Sequence, residues 1–369
     1  MTGNLGVYIH IPFCRSKCPY CDFFSFRAKK EEINAYVEIL CDKIKMWGKK
    51  ADKIVDTVYL GGGTPSILGA EICCRIINTI KDNFKVTDDC EITIEANPSS
   101  GKFFDFKKAY DNGINRVSLG VQSVNENELR KLGRIHSRED VENTISLIKN
   151  SGIDNFSLDL MIGIPEQTTD SLKKSIDFCV SSGAKHISSY MLKIEENTVF
   201  YKRRNDYAFP DDDLTADMYL FAVDYLSKNG FRQYEISNFA KTGYESKHNN
   251  KYWLLDDYLG IGPAAHSMMD GKRFYYNRSV EDFKNDVLIS DGTAGDLYEY
   301  IMLRLRLAKG IDIAETEKAF GVKLSESFLK SIDLFCKNGF MKRCGDKCCF
   351  TPKGFLMSNS IIAELSNKI

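Results

Sequence analysis

The strongest constraint on the fold is an alternation. Six strand-like stretches, at 6–11, 57–60, 91–98, 116–123, 156–162 and 186–192, alternate with segments of helical periodicity. In the first helical segment, about 29–50, Ile33, Tyr36, Val37, Leu40, Ile44 and Trp47 recur on one face. Further helices are predicted near 70–84, 102–112, 125–132, 137–151 and 169–182. Strands that alternate with helices predict an α/β chain with a parallel sheet under helical cover. Several of these strands read as apolar on both faces, as expected for doubly buried strands. Spacing alone does not choose between a doubly wound sheet and a barrel.

The alternation stops after 192. Residues 193–212 are polar and irregular, 213–229 read as a helix and 231–240 as partly extended. From about 291 the pattern becomes an amphipathic helix (297–307), short helices at 313–320 and 325–338, and two hairpin strands at 339–341 and 349–351. The expected division is 1–200, 201–290 and 291–369.

Composition excludes some functions. With 50 Lys+Arg against 51 Asp+Glu, the chain has no basic field for nucleic acid, so any anion site is local. The 12 cysteines show no disulfide framework, and scattered thiols such as Cys41, Cys73, Cys74, Cys90 and Cys179 suit a reducing cytoplasm. Cys344, Cys348 and Cys349 near the hairpin lack a fourth ligand at zinc spacing and read as incidental. The start has no signal-peptide pattern, and no apolar run reaches membrane-spanning length.

Three cysteines, Cys14, Cys18 and Cys21, fall on the loop leaving the first strand. Thiols this close cannot pair without strain, but their thiolates can share a soft metal centre. Three ligands leave a four-ligand zinc site incomplete. They suit a [4Fe–4S] cluster with one open iron, with a zinc knuckle or three buried thiols as the alternatives. Gly61-Gly62-Gly63-Thr64-Pro65 is not a Walker loop, because no Gly-Lys-Ser/Thr follows. Glu95 and Asp159 are carboxylates in otherwise apolar strands, where an unpaired charge is costly. Each alone reads as half of a salt bridge.

The string Tyr8-Ile9-His10-Ile11-Pro12-Phe13-Cys14, followed by Cys18-Pro19-Tyr20-Cys21-Asp22-Phe23, resembles the radical S-adenosylmethionine (SAM) superfamily. Within it the chain resembles the group of oxygen-independent coproporphyrinogen III oxidases and haem chaperones. The resemblance implies a partial (β/α)6 barrel with a small winged-helix-like C-terminal domain. It implies that Cys14, Cys18 and Cys21 hold the cluster, and that SAM meets Tyr8, Tyr20, Gly62, Gly63, Thr64, Glu95, Gln122, Arg134 and Asp159. Arg134 would take the SAM carboxylate, Glu95 the amino group, and Gln122 and Asp159 the ribose. The 162–165 turn would complete that wall, and small residues at 260–265 would meet the adenosine.

His248, Asn249, Tyr252 and Trp253 match a string associated with haem in the chaperone branch. His248 is then either a haem ligand or part of a capped helix start with aromatic core neighbours. The oxidases carry a further cysteine two residues after the third, where this chain has Phe23. The resemblance therefore implies a haem chaperone with haem, a client protein and a reductant such as flavodoxin or ferredoxin as partners. The alternative is the oxidase itself, decarboxylating two propionates. No catalytic residue is singled out.

Overall fold

The structure is a computed structural model that describes residues 3–369. Strands β1 Leu5–Ile11, β2 Ile54–Gly62, β3 Lys85–Ala96, β4 Arg116–Gln122, β5 Asn155–Ile162 and β6 His186–Met191 lie side by side in chain order, all parallel. The helices between them begin on polar caps. Ser137, for example, accepts from the Asp140 N–H, and Asp140 accepts in return from Ser137, which opens the helix Arg138–Asn150. The expected helix at 102–112 is instead two short pieces, Pro98–Gly101 and Phe106–Asp111, capped by Asn97 and Asp105.

The sheet does not close. Beyond β6 it continues into the short antiparallel strands β7 Arg232–Gln233 and β8 Asn238–Ala240. Beyond β1 it adds β9 Tyr258–Ile261, parallel to β1, then antiparallel β10 His266–Met269, β11 Lys272–Tyr276 and β12 Leu288–Thr293. This is the partial barrel that the resemblance implied. A separate three-stranded sheet, β13 Ile311–Asp312, β14 Met341–Cys344 and β15 Lys347–Phe350, packs with the C-terminal helices; the expected hairpin is β14–β15, and two helices not foreseen, Pro352–Leu356 and Ser358–Ser366, follow it.

The sheet's outer face is apolar and sits under the helices, with Val117, Leu119, Leu158, Leu160 and Ile187 fully buried. The inner face differs from the doubly apolar expectation. With the strand period of two, β3 alternates Glu91, Thr93 and Glu95, and β4 alternates Arg116, Ser118 and Gln122. β5 and β6 contribute Ser157, Asp159, His186 and Ser188. A polar lumen under an apolar jacket gives these strands their mixed character.

The polar stretch after β6 is also more ordered than its composition suggests. It forms the helix Val199–Lys202 and packs Phe200, Tyr207 and Phe209 together. Phe200 is fully buried, which contributes on the order of 2–3 kcal/mol. Its N–H donates to the Pro19 carbonyl (3.0 Å), so this segment braces the cysteine loop.

Candidate functional site

The cysteine loop and the glycine turn are tied together by backbone. The Gly63 N–H donates to the Ile11 carbonyl and the Thr64 N–H to the Phe13 carbonyl, both at 2.8 Å, carrying the β1–β2 pairing past the strand ends. The glycines are required by this closeness. A Cβ on Gly63 would lie 2.6 Å from the Phe13 carbonyl oxygen, and one on Gly62, where φ is +108°, would meet the His10 ring at 2.5 Å. The turn thus packs tightly on the protein itself.

Above this seam lies a cavity of about 520 Å³ at the C-terminal ends of β2 to β6, within the usual range for small-molecule sites. Cys14, Cys18, Cys21, Tyr20, Gly62, Gly63, Thr64, Glu95, Gln122, Arg134 and Asp159 all line it. The Thr64 hydroxyl lies 3.4 Å from the Cys14 Sγ. Arg134 donates from Nη1 to the Cys18 Sγ (3.8 Å) and the Tyr20 hydroxyl (3.5 Å), and from Nη2 to the Gly120 carbonyl (2.6 Å). Its Nε is buried without a partner. The side-chain Oε1 of Gln122 is also buried without a partner, and Gln122 is one of few non-glycine residues with positive φ (+67°). Backbone strain and an open acceptor coincide at Gln122, which leaves its side-chain oxygen free for a donor in the cavity.

Glu95 accepts from the Tyr59 hydroxyl (2.9 Å) and the Gly62 N–H (3.1 Å). Burial pushes its carboxyl up to about 7, countered by those two bonds. Asp159 accepts from the Ser118 hydroxyl (3.1 Å) and the Ser157 hydroxyl (3.2 Å), and burial raises its carboxyl too. Neither forms the salt bridge that a single buried carboxylate suggests, so both keep acceptor capacity for a ligand.

Other expected positions lie elsewhere. Tyr8 sits in mid-β1. It bonds the His10 Nδ1 (3.1 Å), stacks on Tyr59 and does not line the cavity. The 162–165 turn folds onto the Gln167 side chain, which accepts from the Gly163 and Ile164 N–H groups. Gly260 packs on the β10 backbone and Gly262 on His10.

His248 is fully buried near Thr57 and Glu91, toward the opposite end of the lumen. Its Nδ1 bonds Thr57 (2.9 Å) and its Nε2 bonds Tyr252 (2.8 Å), while its ring stacks on Tyr59. Burial lowers its pKa to about 3, so it is a neutral ring with both nitrogens engaged. Here His248 packs as a buried residue near the start of the capped helix Lys247–Leu254, with neither ring nitrogen free for an iron.

Sequence reasoning missed Asn97, Ser118, Tyr190, Met191, Leu192, Lys193 and Glu195, which complete the cavity wall. Ser118 shares the two-residue phase of Gln122 and could have been found that way. Lys193 and Glu195 carry no pattern.

For the metal centre, among the described residues no three His, Cys, Asp or Glu side chains gather as for a single ion. Three free thiols around a roomy cavity, with a guanidinium and a hydroxyl against two of them, suit the larger cluster, whose thiolates need such donors.

A parallel partial barrel with three cysteines after its first strand defines a radical SAM protein. A model of the radical SAM superfamily matches residues 8–179, and one of the HemN C-terminal domain matches 296–357. The heme chaperone HemW of Haemophilus influenzae is 34% identical over 374 residues, 97% of each chain. HemW of Escherichia coli is 34% identical over 378 residues, again 97% of each. The chain belongs to the HemW family. Coproporphyrinogen III oxidase (HemN) from Escherichia coli shares the fold, with a TM-score of 0.85 over 99% of this chain and 91% of that one at 20% identity.

Proposed function

We propose that this chain binds haem and passes it to an acceptor protein, as the heme chaperones it resembles are named for doing. The observation that carries the reading is likeness to those chaperones over 97% of both chains. Phe23 supports it. At the position where the oxidases carry a further cysteine, an exposed phenyl ring stands at the cavity mouth.

In this reading Cys14, Cys18 and Cys21 hold a [4Fe–4S] cluster. When bound, the cluster would supply an open iron and a low-potential electron. Arg134 would hold the SAM carboxylate, Glu95 the amino group, and Gln122 and Asp159 the ribose hydroxyls, matching donors to acceptors. The cavity mouth suits haem better than His248 does. Phe23, Met191 and Leu192 offer apolar surface, and Lys17, which has no carboxylate partner among the described residues, offers a cation for a propionate. A flavodoxin or ferredoxin would be the reductant and a haem-dependent protein the client. All 12 cysteines are free thiols and no described helix is long and apolar enough to cross a membrane, which supports a cytoplasmic site of action.

The test is anaerobic incubation of cluster-loaded protein with SAM, dithionite and coproporphyrinogen III, beside a haem titration. Haem binding without protoporphyrinogen is expected. Protoporphyrinogen formation would support the oxidase.

A further inference from the structure

The three most exposed large apolar side chains in the described chain are Phe103 at 72%, Phe23 at 68% and Ile135 at 61%. All three flank the cysteine loop. Phe23 stands at the cavity mouth, while Phe103 and Ile135 stand behind the loop, on the side away from the cavity. Single exposed apolar residues need no explanation, but a pair over one functional loop marks a contact surface.

Behind the loop the wall is thin. A gap of about 20 Å³ is lined by Arg15, Cys18, Arg134 and Ile135 together, so one layer of side chains separates this surface from the Cys18 thiol. Arg15 bridges the two apolar residues: its guanidinium lies 5.8 Å from the Phe103 ring centroid, and it shares the gap with Ile135. Lys102 also lies over this ring, 5.3 Å from its centroid. Arg15 has no carboxylate partner among the described residues and donates to the Ser99 carbonyl (3.3 Å), whereas Lys102 pairs with Asp140 (2.7 Å). The patch therefore joins two exposed apolar side chains through one uncompensated positive charge, Arg15.

We propose that this rear face, centred on Phe103, Ile135 and Arg15, docks a small acidic one-electron carrier protein that reduces the metal centre through Cys18. The proposal rests on the reading that Cys14, Cys18 and Cys21 hold an iron–sulfur cluster. Charge selects the partner, because the uncompensated Arg15 cation favours an acidic protein and disfavours a basic one. Position selects the chemistry, because this face brings a protein surface within one side-chain layer of the Cys18 thiol without blocking the cavity. The step moves one electron. The carrier's reduced cofactor is oxidised by one electron, the oxidised cluster is reduced by one, and no atom changes hands. A small patch suits a transient electron-transfer encounter.

The experiment uses cluster-loaded protein and reduced flavodoxin as the probe. Stopped-flow absorbance follows cluster reduction, calorimetry follows flavodoxin binding, and dithionite serves as a small reductant that needs no docking. Arg15→Glu and Phe103→Ser are measured separately, each with iron and sulfide content. For both, flavodoxin binding and reduction are expected to weaken by at least about tenfold, with dithionite reduction unchanged. The wild-type rate should also fall as salt rises. Unchanged flavodoxin rates in both fully loaded variants would overturn the docking face. Equal losses with dithionite would overturn it too, by placing the defect in the cluster. A wild-type protein that takes up no cluster would overturn the underlying reading instead.

Discussion

The lumen of the barrel holds two polar ends that differ in one respect. At the cavity end, Gln122 has an unpartnered oxygen on a strained backbone, Arg134 has an unpartnered Nε, and Glu95 and Asp159 are carboxylates without a cation in contact. At the other end the histidines are closed into pairs. His248 is satisfied by Thr57 and Tyr252, and His186 by Ser157 (2.7 Å) and Tyr234 (2.8 Å). Both ends are built from the residue types that carry chemistry. The difference lies in where the spare bonding capacity sits: at one end it faces an open cavity that a ligand can enter, while at the other, where Thr93 Oγ1 and Arg116 Nε also lack partners, both histidines are already engaged by packing. An unmet buried polar group costs about 1–3 kcal/mol, so it persists where a ligand repays it.

The comparison can be broken at several points. The largest effect is expected from Cys18→Ala, which should abolish the iron–sulfur chromophore; wild-type iron and sulfide content would remove the cavity end from metal chemistry. His248→Ala should lower unfolding free energy by about 2–4 kcal/mol, through a buried void and two orphaned hydroxyls. Denaturant melts would show this, and a loss under 1 kcal/mol would mean that the closed end is not closed. Arg134→Ala should weaken SAM binding by about 10- to 100-fold at intact cluster content. Unchanged affinity by calorimetry would take Arg134 out of the site.

The smallest effect is on pH. Glu95 ionises near pH 7 because burial disfavours its charge. It is therefore a carboxylate above that pH and a neutral acid below it. SAM affinity should rise severalfold between pH 6 and 8 and then level off, and Glu95→Gln should flatten the profile. An affinity that falls with rising pH would contradict the role given to Glu95.

Much of this was legible in the sequence. The six-fold alternation carried the parallel core, and the cysteine spacing carried the metal loop. The remainder depends on tertiary pairing. Nothing local shows that β9 joins β1 across some 250 residues, closing the space between His248 and Thr57. The histidine string therefore read as well for a ligand as for packing until its neighbours were placed. Tyr8 depends on tertiary placement in the same way, since its contacts with His10 and Tyr59, away from the cavity lining, are not visible in the strand pattern. The aromatic brace at Phe200 was hidden in a polar stretch, because three aromatic residues at irregular spacing show no period.

The most direct measurement is a haem titration, followed by absorbance, of wild-type protein and His248→Ala, both cluster-loaded and kept below their melting temperatures. The account predicts that both bind haem with the same affinity and the same spectrum while the variant melts earlier. A wild-type protein that binds no haem, or a variant that melts normally but has lost the wild-type haem spectrum, would contradict it.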